Sequence, residues 1–218
     1  MPPESASSDA VSNPVRSRRG RPPSGAREQR RAEVLDAAFA ELAERGADGV
    51  TMASIARRAG ASKETLYSWF DNRSGLFRAM IASNADAAAA RIAGALADPD
   101  QPESTLREFG LGLLGLLTDP QSIALNRAAM SDPELAADLL ASGRHRVGPI
   151  VDAYLDRCAA RDRIRLSSAA DGFELFYGLL VRDTQIRTLL GESPPDGTAL
   201  TRRASEAAAQ YMMIVGAS

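Results

Sequence analysis

Hydrophobic residues recur along this chain at helical spacing and almost nowhere alternate. Val34, Leu35, Ala38, Phe39 and Leu42 fall at i, i+1, i+4, i+5 and i+8, one face of a helix that opens near Arg27. Gly46 ends it and Gly49 serves the turn. Thr51 is placed to cap a short second helix that turns Ile55, Ala56 and Ala59 inward and stops at Gly60. Ser62 caps a third, running to about Phe70. After an Asp71-Asn72 turn, Ser74 caps a long fourth helix through Leu76, Phe77, Met80 and Ile81 to Leu96. Beyond Pro99 the spacing predicts helices near 103–117, 121–130, 133–160, 168–190 and 198–215. Their separators are Asp-Pro at 119–120 and 132–133, the polar RDRIR and the stretch ESPPDG. The expected fold class is all-α, with about nine helices and no internal repeat. Residues 1–26, rich in Pro, Ser, Gly and Arg, carry no periodicity and are expected to be a disordered basic arm. Residues 27–73 form an N-terminal three-helix unit, and 74–218 a second, helical domain.

Composition changes this picture in one respect. Apolar residues make up 44%, enough for a core, and the formal charge is only −2. That near-neutrality hides an asymmetry. From Pro14 to Met80 there are 13 basic residues against 8 acidic, whereas residues 81–218 hold 13 against 18. A basic front and an acidic back point to separate tasks. All basic residues but Lys63 are arginine, which reads as genomic base composition. Cys158 is the single cysteine, so no intrachain disulfide forms, which fits a reducing cytoplasm. The N-terminus lacks the apolar core of a signal peptide. The longest apolar run, FGLGLLGLL at 109–117, falls well short of the roughly 20 residues that span a bilayer. It reads as a buried helix whose glycines permit close packing.

The chemistry concentrates at AGASKETLYSWF, residues 59–70. A helix, a glycine-containing turn of about three residues and a second short helix make a helix-turn-helix, whose second helix meets base edges in the major groove. Leu66 and Phe70, spaced i and i+4, anchor that helix, while Lys63, Glu64, Tyr67 and Ser68 face away together. Lys63 suits guanine O6/N7 or a phosphate, and Glu64 can accept from cytosine N4. Tyr67 and the Trp69 indole N–H can donate to phosphate oxygens, which fix register. The same pattern also describes two packed helices whose polar residues simply face water.

The residues themselves go further. TMASIARRAGASKETLYSWFDNRSGLF closely resembles the DNA-binding signature of the TetR/AcrR family of bacterial regulators, over about residues 28–80. The shared features are Thr51, Ile-Ala…Ala-Gly at 55–60, Ser62, Thr-Leu-Tyr at 65–67, Phe70 and Leu-Phe at 76–77. Residues 81–218 match only in length and helical character. The resemblance implies Thr51 as a phosphate-contacting cap and Lys63, Glu64 and Thr65 as the reading end of the recognition helix. It implies Tyr67 and Trp69 as phosphate contacts, and Arg73, where relatives usually carry lysine, as a further DNA contact. Glu64 stands where many relatives have a small residue.

The resemblance further implies a homodimeric repressor, released from a pseudo-palindromic double-stranded DNA operator by a small-molecule effector whose identity the sequence does not give. Its last two long helices pair across a two-fold axis. A helical stripe of Phe173, Phe176, Tyr177 and Leu180 reads first as core; in a family that binds apolar effectors between helices it also divides between effector pocket and interface. The expected pocket is Phe109, Leu113, Asn126, Arg127, Met130, Phe173 and Tyr177; the expected interface includes Phe176 and Leu180. The basic stretch RSRRGRPPSG resembles an AT-hook core, in which Arg19 and Arg21 suit a narrow minor groove. With one histidine, His145, and no CxxC pair or phosphate loop, no metal, cofactor or catalytic set is expected, and no membrane partner. Two other classes compete: an architectural DNA-binding protein without an effector, and an all-α enzyme.

Overall fold

The computed structural model describes residues 24–217, so Arg19 and Arg21 lie outside the described residues. Among the described residues there are eleven helices and no strand beyond one antiparallel bridge, Ile164 with Gly216. They are α1 (Ser24–Gly49), α2 (Met52–Ala59), α3 (Lys63–Phe70), α4 (Arg73–Ala95), α5 (Pro102–Thr118) and α6 (Pro120–Ala129). The rest are α7 (Pro133–Ser142), α8 (Arg144–Ala159), α9 (Ala169–Val181), α10 (Thr184–Leu189) and α11 (Gly197–Val215). None is long and apolar enough to cross a membrane.

Two long helices of the sequence reading are each broken in two. The expected helix 133–160 divides at Gly143, and 168–190 divides at Arg182. The second break has no glycine or proline to announce it. Arg182 adopts φ 46, a left-handed value, and α9 stops there. The exposed carbonyls are satisfied from elsewhere: the Arg203 guanidinium of α11 donates to Leu179 O and Leu180 O. A third correction is small. Asn72, not Ser74, caps α4, its Oδ1 accepting from Gly75 N at 2.9 Å.

Arginine serves the same purpose at four other helix ends. Arg73 donates to Ala47 O and Val50 O after α1, and Arg30 to Ala59 O and Gly60 O after α2. Arg157 reaches Leu96 O at the end of α4, and Arg127 reaches Thr188 O and Leu189 O at the end of α10. A helix leaves its last carbonyls without partners and its C-terminus partly negative, so a guanidinium fork is suited to both needs. The arginine content is therefore structural as well as compositional.

Two hydrophobic cores result, and they do not divide at 73/74. The first runs from Val34 to Ile81 and takes in Leu125, Ala128 and Ala129 of α6 and Leu135 of α7. The second joins Ile92 and Leu96 of α4 to α5, α8, α9 and α11. Helix α4 thus has one end in each core, and Asn84 of α4 bonds Ser122 of α6 at 3.1 Å. In α5, Gly110 does permit close approach: a Cβ there would lie 3.0 Å from Leu180 Cδ1 and 3.3 Å from Phe176 Cζ.

Candidate nucleic-acid interface

Helix α3 is eight residues long, too short to persist alone, so neighbours must hold it. Leu66 is fully buried and Phe70 nearly so, both in the first core. Ser62 caps the N-terminus, its Oγ accepting from Thr65 N at 3.1 Å and lying 3.0 Å from Thr65 Oγ1. Helix α2 is fixed by a capping box: Thr51 Oγ1 accepts from Ser54 N at 3.0 Å, and Ser54 Oγ accepts from Thr51 N at 3.1 Å. Gly60, at φ 58, makes the turn between them. At the far end, a Cβ on Gly75 would sit 2.0 Å from Phe70 O, so only glycine lets α4 start this close to α3.

With the inner face anchored, Lys63, Glu64, Tyr67 and Ser68 are all exposed, Tyr67 by 52%. The structure brings them together as the sequence pattern expected. The backbone amide of Glu64, and then the Ser62 hydroxyl, hold the Glu64 carboxyl below its ordinary range, with Lys63 adding to the effect. It is an acceptor at neutral pH. Thr51 and Ser62 are exposed caps, and Thr65 is half-buried with its hydroxyl beside that of Ser62. Trp69 is half-buried against the first core, edge-on to Phe70 at 6.4 Å between centroids.

Arg73 is exposed, and its guanidinium has partners within the chain. Its Nε and Nη2 go to Val50 O at 2.9 Å and Ala47 O at 2.6 Å, and its guanidinium lies 4.9 Å from the Phe77 ring centre. It fastens α4 to the end of α1. Arg73→Met should therefore lower stability by about 1–3 kcal/mol, two bonds from a charged donor being lost at a partly exposed site. Urea unfolding measures this. The salt slope of DNA binding should stay unchanged; a fall of about 0.9 with stability intact would instead show a phosphate contact.

Sequence reasoning missed the residues that orient the motif. Arg30 of α1 holds the α2–α3 turn through Ala59 O and Gly60 O, and Arg31 lies 5.1 Å from the Phe70 ring centre. Arg58 of α2 pairs with Glu41 and Glu44 of α1. Glu41 is 2% exposed, so this charge is buried and paired, as a buried carboxylate requires. A glutamate on the apolar face of α1 was the available signal.

The expected pocket and interface residues do not assemble as expected. Phe109, Leu113 and Phe173 are buried in the second core, where Phe109 packs on Phe173 at 6.4 Å and on Phe176 at 6.0 Å. Tyr177 packs edge-on against Phe173. Asn126 turns back to Ser122 O of its own helix, Arg127 caps α10, and Met130 is 65% exposed. Phe176 and Leu180 are fully buried within the protomer and cannot meet a partner. The stripe faces α5 and α11, where Phe176 stands edge-on to Tyr211 at 5.5 Å. Cys158 is fully buried, and burial pushes its thiol up, against any thiolate chemistry.

Comparison with known proteins gives the same answer as the geometry. Residues 34–80 match the family described as bacterial regulatory proteins, tetR family. Residues 104–215 match the AefR-like transcriptional repressor C-terminal domain. No curated protein matches. A TetR transcriptional regulator from Agrobacterium tumefaciens is 31% identical with TM-score 0.73, over 87% of this chain and 95% of its own. A TetR-family regulator from Mesorhizobium loti superposes at TM-score 0.77 with 22% identity, over 87% and 98%. The fatty acid degradation regulator FadR from Bacillus halodurans shares the fold at 17% identity and TM-score 0.68, over 82% and 97%. With a short capped helix presenting Lys63, Glu64, Tyr67 and Ser68 from a rigid helix-turn-helix, this chain belongs to the TetR family of DNA-binding transcriptional regulators, which are not enzymes.

Proposed function

We propose that the protein is a homodimeric repressor, released from a pseudo-palindromic operator by a small-molecule effector. The observation that carries this reading is the α2–α3 motif: a capped end on each helix, two buried anchors in α3 and one exposed polar face prepare it for a major groove. Lys63, Glu64 and Thr65 read bases and backbone, while Thr51, Ser62, Tyr67, Ser68 and Trp69 position phosphates. Dimerisation uses the outer faces of α9 and α11. Leu175 and Leu179 are half-buried there, and Met213 and Ile214 of α11 are 78% and 60% exposed. Helix α4, with an end in each core, is suited to carry a change of the second core to the first. An effector that prefers the wider-spaced dimer shifts the balance by its differential affinity, and about 5.5 kcal/mol takes it from 1:99 to 99:1. Beyond the described residues, Arg19 and Arg21 of the arm contact the minor groove. Arg30, six residues into α1, lies beside the helix-turn-helix turn.

Selection of bound fragments from a random DNA pool by the full chain tests this. The expected product is two inverted half-sites about 10–10.5 base pairs apart or a multiple, matching recognition helices about 34–36 Å apart. An architectural protein would enrich no motif, and that outcome would overturn the reading.

A further inference from the structure

Helices α8 and α9 leave a groove between them that the packing of the second core does not fill. It has a volume of about 290 Å³ and is bordered by Arg144, Gly148, Pro149, Asp152, Ala170 and Phe173, among others. That is close to the lower end of the range for small-molecule sites, about 300 Å³. Several independent features of this groove lack an internal explanation.

Arg144 Nη1 and Asp152 Oδ1 are both buried, and neither has a hydrogen-bond partner. Such atoms are uncommon, because a buried donor or acceptor left alone costs about 1–3 kcal/mol. One is a donor and the other an acceptor, and both side chains border the same groove. The rest of the Arg144 guanidinium is held in place, 4.4 Å from the Phe173 ring centre and 5.5 Å from that of Tyr177, with Glu174 Oε1 at 3.6 Å from Nη2. Burial pushes the Asp152 carboxyl above its ordinary value, against the pull of Arg144. Two residues keep the groove open. A Cβ added at Gly148 would meet nothing within 4 Å. Pro149, inside α8, borders the groove with its ring and has no N–H to give the His145 carbonyl four residues back.

Polarity selects the ligand. An anion would face Asp152 and Glu174, and a cation would face Arg144, so an uncharged molecule fits. Pro149, Ala170 and Phe173 supply an apolar wall. We infer that this groove binds a small uncharged aromatic ring with a hydroxyl at one end, which donates to Asp152, and a carbonyl at the other, which accepts from Arg144. As the effector site, the groove rests on the effector-release reading above; as a binding site, it does not.

The test is titration calorimetry of the full chain with 4-hydroxyacetophenone, alongside 4-methoxyacetophenone, which has no donor, and 4-hydroxybenzoate, an anion. The expected result is saturable binding of the first, weakened about tenfold or more for the methoxy compound, one lost hydrogen bond being enough for that. The benzoate should not bind. Asp152→Leu should weaken 4-hydroxyacetophenone to the level of the methoxy compound, and Gly148→Leu should abolish binding by filling the groove. Leucine is a better helix former than glycine, so the second variant keeps its fold, which circular dichroism checks. No binding by the wild-type chain, or equal binding by Gly148→Leu, would overturn the site. Operator release is read separately: binding without release leaves the groove standing and removes its role as the effector site.

Discussion

Phe176→Ala should unfold at a markedly lower urea concentration than the wild-type chain, with a loss of about 3–5 kcal/mol. Phe176 is fully buried, stacks on Phe109 and stands edge-on to Tyr211. Its ring also meets Gly110, where the backbone of α5 comes close because there is no Cβ. Truncation leaves a cavity that three helices meeting at this point cannot easily close. The contrast is with α11. Met213→Asp, at a side chain 78% exposed, should leave the protomer folded and weaken the dimer. Sedimentation velocity and near-ultraviolet circular dichroism on both variants separate the two roles. A Phe176→Ala protein of unchanged stability that dissociates into folded monomers would return the stripe to the interface.

The second large effect belongs to α3. Lys63→Ala and Glu64→Ala should each change which base is preferred at one operator position, by about 1–3 kcal/mol per good base contact. Tyr67→Ala should weaken binding to every sequence nearly alike, because phosphate contacts position without specifying. The three side chains share one exposed face within five residues, so a common folding defect would show in all three together. Binding of each variant to a panel of single-base operator changes separates these cases. Uniform losses from all three would mean that the contacts have been sorted wrongly.

The N-terminal unit was legible because its signals are local. Thr51, Gly60 and Ser62 act within four residues of themselves, and each does in the structure what its residue type suggests. The spacing of Leu66 and Phe70 is enough to give α3 its inner face. Legibility failed where a residue acts across a long separation. Arg203 ends α9 from another helix, and Arg73 closes α1 from the start of α4. Neither has a periodic signature, so α9 and α10 read as one helix, and the part Arg73 plays in closing α1 has no mark in the sequence. Phe173, Phe176, Tyr177 and Leu180 form a true helical stripe, but periodicity only marks a face for burial. It does not say whether the same chain or a second copy covers it. Nothing in the residues around Asn126 and Arg127 marks which way they point, and their hydrogen bonds go to Ser122 and to α10.

If α3 reads bases in the major groove, guanine N7 methylation by dimethyl sulfate observes that contact directly. Footprints should be taken on the selected operator with the wild-type chain and with Lys63→Ala. Two protected patches are expected, one in each of two major grooves separated by whole helical turns, with one guanine per half-site released in the variant. Tyr67→Ala, at matched occupancy, should leave the pattern as it is. Protection confined to the minor groove, or a Lys63→Ala footprint identical to the wild type with Glu64→Ala also unchanged, would contradict base reading by α3.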